Sequence, residues 1–147
     1  MNMSGNDSQS VWQLVKDLAA QRPAGRVLLL APGPRGRALF LEREALFSGG
    51  ELVFLDSAKE KLRWARQAQR ALAVGGQATR MPFSRHTFSA VISLEALFAI
   101  RPPWTVLAEY HRVLVPEGFL ILLEPAAHGF WSALRDKLVG PGKRIYS

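Results

Sequence analysis

The stretch Arg26-Val-Leu-Leu-Leu-Ala-Pro-Gly-Pro-Arg-Gly36 decides the fold. Val27 to Leu30 are apolar without alternation, as a strand buried on both faces of a parallel sheet must be. Gly33 and Gly36 then permit a sharp turn and a close approach of backbone to a ligand, and a helical pattern follows. The reading is strand, phosphate-type loop, helix.

Working outward, the same alternation repeats. Upstream, Val11, Trp12, Leu14, Val15 and Leu18 recur at helical spacing, and Pro23 to Gly25 stop that helix before the strand. Downstream, Ala38, Leu39, Leu41, Ala45, Leu46 and Phe47 form the buried side of a second helix, ended by Ser48-Gly49-Gly50. Glu51 to Leu55 is the next strand, with Asp56 just past its end. Ser57 is placed to cap a helix running from about Ala58 to Ala73, with Leu72 inward and Gly75-Gly76 closing it. Gln77 to Thr79 reads as a short strand, Met81 to His86 as a loop, and Thr87 to Leu94 as a buried strand. Pro102-Pro103 opens a helix, and Pro116-Glu117-Gly118 turns it into the strand Phe119 to Leu123. Phe130, Trp131, Leu134 and Leu138 suggest a last helix. Strands alternating with helices predict an α/β fold, a Rossmann-like open and mainly parallel sheet, with ligands at the carboxyl ends of its strands.

Composition bounds the function. The chain has 147 residues, 48% of them hydrophobic, enough for one domain with a substantial core. Residues 1–9 read as a flexible tail and 10–147 as one domain. A formal charge of +7 favours anionic partners, but the excess is arginine scattered along helices rather than one run. With no cysteine, disulfides, thiolate catalysis and cysteine-ligated zinc are excluded. No histidine or carboxylate cluster has metal-ligand spacing. The polar start lacks signal-peptide character, and no apolar run approaches the roughly 18 residues of a membrane span, so a cytoplasmic protein is expected.

Four segments together carry a family resemblance. They are the glycine loop, Phe54-Leu-Asp-Ser57, Met81-Pro-Phe83 followed by Phe88-Ser-Ala-Val91, and Arg112-Val-Leu-Val-Pro-Glu-Gly-Phe-Leu-Ile-Leu-Leu-Glu-Pro125. Between about Arg26 and Pro125 the chain resembles the class I S-adenosylmethionine-dependent methyltransferases, in particular the small-molecule type with a Leu-Pro-Phe loop. The resemblance implies sheet order 3-2-1-4-5, S-adenosylmethionine as cofactor and a small-molecule methyl acceptor. It places Ala31, Gly33, Arg35 and Gly36 at the cofactor's methionine end, and Asp56 with Ser57 at its ribose. A carboxylate there can accept hydrogen bonds from both ribose hydroxyls. Gln77, Ala78 and Met81, with Phe83, would line the adenine side, and Ser93 and Leu94 would face the transferred methyl. Methyl transfer demands alignment more than side-chain chemistry, so no catalytic residue is assigned.

Other readings stand beside this one. The family loop usually reads acid, any, Gly, any, Gly, any, Gly, and here Leu29, Ala31, Gly33 and Arg35 fill the four fixed positions. A non-catalytic methyltransferase-like subunit, used for oligomerisation or for binding a partner such as nucleic acid, fits those departures. Ala31-Pro-Gly33-Pro-Arg-Gly36 also fits a dinucleotide fingerprint of the NAD type, with Asp56 about 20 residues on. Asp56 can equally cap the following helix. His86 and His111 are candidate bases, and Glu95 and Glu124 can either orient a substrate or make structural hydrogen bonds. Trp12, Trp64, Trp104 and Trp131 read as packing residues, with Trp12 and Trp131 bordering a cleft. After the fifth strand too little chain remains for the family's sixth and seventh strands. The apolar edge Phe119 to Leu123 is therefore expected to be covered, by a second copy or by a strand begun at Lys143 to Ser147 and supplied in part by a partner.

Overall fold

The computed structural model describes residues 13, 17, 25–30, 51–67, 72–97, 100 and 102–124. Of the expected helix around Val11 to Leu18 only Gln13 and Asp17 are described, both helical, and the helices expected around Ala38 to Phe47 and Phe130 to Leu138 lie outside the described residues. So do the loop positions Ala31, Gly33, Arg35 and Gly36, the residues Trp12 and Trp131, and the segment Lys143 to Ser147.

In chain order the described elements are β1 (Arg26–Leu30), β2 (Glu51–Asp56), α1 (Lys59–Gln67), β3 (Leu72–Gly75), β4 (Phe88–Leu94), α2 (Pro103–Val113) and β5 (Leu114–Leu123). All neighbouring strands are parallel, in the order β3-β2-β1-β4-β5. The order reverses at β1, which pairs with β2 on one side and β4 on the other. A ligand crevice opens at such a switch point, over the carboxyl ends of the strands.

The apolar runs are explained by burial on both faces of the sheet. Val27, Leu29, Leu52, Phe54, Ala90 and Ile92 pack with Leu62 and Ala65 of α1. The alternate residues Leu28, Leu30, Val53, Leu55 and Val91 pack with Val106, Leu107, Tyr110 and Val113 of α2, and Met81 joins them from the loop. Trp64 is half-buried against the α1 layer, while Trp104 is exposed.

The third strand stands elsewhere than expected. Leu72–Gly75, read as the end of a helix, pairs with Val53 to Asp56, and Leu72 is 54% exposed instead of inward. Gln77 to Thr79, read as the strand, belongs to a turn closed by an isolated antiparallel bridge between Gln77 and Arg80. A short apolar run fits helix and strand alike, and here the edge offered by β2 decides.

β5 begins earlier than expected, at Leu114, because Pro116-Glu117-Gly118 forms a bulge within the strand. Phe88 pairs with Leu114 and Ala90 with Phe119, so the extra residues loop out of register. Glu117 takes a φ of 66° there. A Cβ at Gly118 would lie 2.9 Å from the Val115 carbonyl oxygen and 3.1 Å from that of Ser89, so the bulge needs glycine. Among the described residues no helix is long and apolar enough to cross a membrane.

Candidate functional site

The carboxyl ends of β2, β3 and β4 bring three chain segments to one edge: Asp56-Ser57, the start of the loop that leaves β3 at Gly76, and Glu95 to Leu97. Asp56 ends β2, and its side chain is only 10% exposed. Its Oδ1 accepts a hydrogen bond from the Ala58 backbone N–H at 2.8 Å, an Asx turn immediately before α1. Oδ2 lies 3.8 Å from Lys61 Nζ, an ion pair beyond hydrogen-bond length. The carboxylate is thus oriented by the helix entrance and keeps acceptor capacity at the strand edge. Ser57, expected as the cap, is exposed beside it.

The next segment is tied to Asp56 through backbone. The Gly76 N–H donates to the Asp56 carbonyl at 3.2 Å. A Cβ at Gly76 would sit 2.9 Å from Pro82 Cδ and 3.3 Å from Leu55 Cδ1, so glycine lets the loop Met81-Pro82-Phe83 lie directly against the end of β3. Met81 is buried, Ala78 is half-buried, and Gln77 is exposed. Phe83 stands edge-on to Phe88 of β4, with ring centroids 4.9 Å apart.

Two residues to which the sequence reading gave no role hold this loop. Arg112 donates from Nε to Glu109 Oε1 and from Nη2 to Oε2, both at 2.8 Å. Its Nη1 also donates to the Phe83 carbonyl at 2.6 Å, and Nη2 to the Met81 carbonyl at 3.1 Å. Glu109 Oε2 accepts from the Met81 N–H at 2.7 Å. The hydrogen bond from Arg112 holds the Glu109 carboxyl below its ordinary range; burial opposes this, while the Met81 N–H and the charges of Arg112 and Arg80 add to it. Glu109 in turn raises the pKa of Arg112. The last turn of α2 continues the clamp, since the His86 N–H donates to the Arg112 carbonyl at 3.0 Å and Thr87 N–H to that of Val113 at 2.8 Å. The only sequence signal was the i,i+3 spacing of Glu109 and Arg112, which also fits an ordinary pair on a helix surface. Both histidines considered as bases, His86 and His111, are exposed.

Beyond β4 the chain turns at Glu95, whose φ is 57° and whose N–H donates to the Leu123 carbonyl at 2.6 Å. Glu124 is buried, and its Oε1 accepts from the Leu97 N–H at 2.9 Å, a structural hydrogen bond that fixes this turn against the end of β5. Ser93 is fully buried on the α2 side of the sheet, with its Oγ 2.7 Å from the Tyr110 hydroxyl. Burial pushes the Tyr110 pKa far up, the Ser93 bond opposes that, and the charge of Glu124 adds to it, so the phenol stays protonated. The edge therefore gathers Asp56, Ser57 and Gly76, whereas Ser93 lies beneath it.

For a ribose-bearing cofactor, a carboxylate oriented at the end of β2 is a matching acceptor, and the chain leaving β3 at Gly76 is tied to it by backbone. These residues fit S-adenosylmethionine.

A family model described as a methyltransferase domain matches residues 31–122. The demethylmenaquinone methyltransferase of Streptomyces avermitilis is 31% identical over 115 residues, which cover 78% of this chain and 48% of that protein. Among solved structures, a Bacillus halodurans protein provisionally named a methyltransferase is 26% identical with a TM-score of 0.64, over 76% of this chain and 49% of that one. A Haloferax volcanii structure pairs the Trm112 methyltransferase activator with a provisionally named methyltransferase. It is 27% identical with a TM-score of 0.60, over 76% of this chain and 51% of that one. The chain thus spans about half the length of these relatives. Strand order, strand-end carboxylate and family match converge, and the chain belongs to the class I S-adenosylmethionine-dependent methyltransferase family.

Proposed function

We propose that this chain binds S-adenosylmethionine across the carboxyl ends of β1, β2 and β4 and serves methyl transfer to a small acceptor. The observation that carries the reading is the Asp56 carboxylate, oriented at the end of β2 by the Ala58 N–H. In this reading Asp56 and Ser57 take the ribose hydroxyls, and Gln77, Ala78 and Met81 flank the adenine. Ala31, Gly33, Arg35 and Gly36 meet the methionine carboxylate. Ser93 supports the floor beneath the transferred methyl from its buried bond with Tyr110. When bound, the cofactor supplies a methyl already activated on a sulfonium, so this chain's residues need only bind, orient and exclude water. The reading places the protein in the cytoplasm as one domain, residues 10–147, with 1–9 as a tail. A second copy would pair along Phe119 to Leu123 of β5, one of the two outer strands of the described sheet.

The second reading is a non-catalytic subunit that uses the same fold to hold a partner. It draws support from Leu29, which is fully buried among apolar residues where the family's loop pattern begins with an acid. A shared fold alone does not fix chemistry, as the [4+2]-cyclase SpnF, with a TM-score of 0.61 to this chain, illustrates. Calorimetric titration with S-adenosylmethionine and S-adenosylhomocysteine separates the two. Saturable heat supports the enzyme reading. Its absence at high protein concentration, together with a salt-dependent shift on adding RNA or DNA, supports the partner reading.

A further inference from the structure

We infer that Glu109 and Arg112 are positioning residues for the cofactor site, holding the Met81-Pro82-Phe83 wall at a fixed distance from Asp56. The inference rests on the adenine-side role given to that wall in the proposed function.

The wall has polar backbone groups that point inward toward α2. The Met81 N–H, the Met81 carbonyl and the Phe83 carbonyl all end on the Glu109–Arg112 pair. Buried beside Met81, those groups would each carry a desolvation cost without these partners. The pair is itself locked by two parallel hydrogen bonds, so its geometry is set before any ligand arrives. On its other side the wall meets Gly76 through Pro82, and Gly76 is bonded to the Asp56 carbonyl. A continuous path thus runs from the α2 pair, through the Met81 loop and Gly76, to the carboxylate proposed for the ribose. Preorganisation of this kind lowers the ordering cost that a flexible wall would impose on binding.

With three of its backbone groups engaged by Glu109 and Arg112 and the Met81 side chain packed into the core beside α2, the Met81–Phe83 wall has little polar capacity left for a ligand. Polar recognition on this side then falls to groups outside it, such as the exposed Gln77.

The test uses the 147-residue chain and its Arg112→Met, Arg112→Lys and Glu109→Gln variants, titrated with S-adenosylhomocysteine at a temperature where circular dichroism shows each folded. Arg112→Met is expected to weaken binding by about tenfold or more, with Arg112→Lys between it and the parent. Glu109→Gln, nearly isosteric, should weaken binding and move the Met81 amide resonance upfield. Hydrogen exchange should quicken at Gly76 to Thr87 and stay unchanged in β1 and β4. A merely structural pair would lower the melting temperature yet leave the affinity of the folded protein intact, and that result overturns the inference while the proposed function stands. Failure of the parent chain itself to bind S-adenosylhomocysteine overturns both.

Discussion

Arg112 grips Glu109 through two parallel hydrogen bonds of 2.8 Å, and the same guanidinium reaches across to the carbonyls of Met81 and Phe83. A pair that looks like helix-surface decoration in one dimension is the anchor of a loop about 30 residues away in the chain. The loop's placement at the proposed cofactor edge therefore depends on the charge state of Glu109.

That dependence has a sign. A carboxyl whose folded pKa lies below its ordinary value of 4.5 contributes stability that is complete above 4.5 and is lost as the pH falls through the lowered value. The melting temperature of the parent should fall as the pH drops below 4.5, and Glu109→Gln, which has no carboxyl to protonate, should follow a flatter curve over the same interval. Parallel curves would remove Glu109 as the source.

Ser93 and Tyr110 form a fully buried hydroxyl pair. Ser93→Ala or Tyr110→Phe alone leaves one buried hydroxyl without its partner and should cost about 1–3 kcal/mol in denaturant unfolding. The double variant should cost clearly less than the sum, a coupling that a double-mutant cycle measures directly. Additive losses would mean the two hydroxyls do not depend on each other.

Gly76→Ala places a methyl 2.9 Å from Pro82 and pushes the Met81 loop away from β3. Overpacking of this kind should cost about 1–3 kcal/mol in unfolding free energy. In a folded sample the amide resonances of Met81 and Phe83 should shift while those of β4 hold still. Unchanged Met81 and Phe83 resonances would show that the loop does not lean on Gly76.

Much of this architecture was legible in the chain. Val27 to Leu30, Leu52 to Leu55 and most of Phe88 to Leu94 are apolar because both sheet faces are covered, and that pattern gave the parallel sheet, while its order came from the family resemblance. The place of Asp56 at the carboxyl end of β2 was legible too. Leu72-Ala-Val-Gly75 was not, since four apolar residues carry no periodicity and only the edge of β2 selects a strand. Glu109 and Arg112 escaped for a related reason. Their partners are backbone atoms of a distant loop, and backbone atoms leave no mark in sequence. Pro116 to Gly118 looked like a turn, and the bulge retains that local bend while the ladder with β4 continues on either side.

The central claim is that Asp56 binds the ribose of S-adenosylmethionine, and Asp56→Asn tests it most directly. Asparagine preserves the contact to the Ala58 N–H, so the turn before α1 is kept and the melting temperature should change little. Titrated with S-adenosylhomocysteine, the parent should bind saturably and Asp56→Asn about tenfold or more weakly, the loss of a charge-assisted hydrogen bond. Equal affinity in the two proteins, or no binding by the parent, would contradict the account.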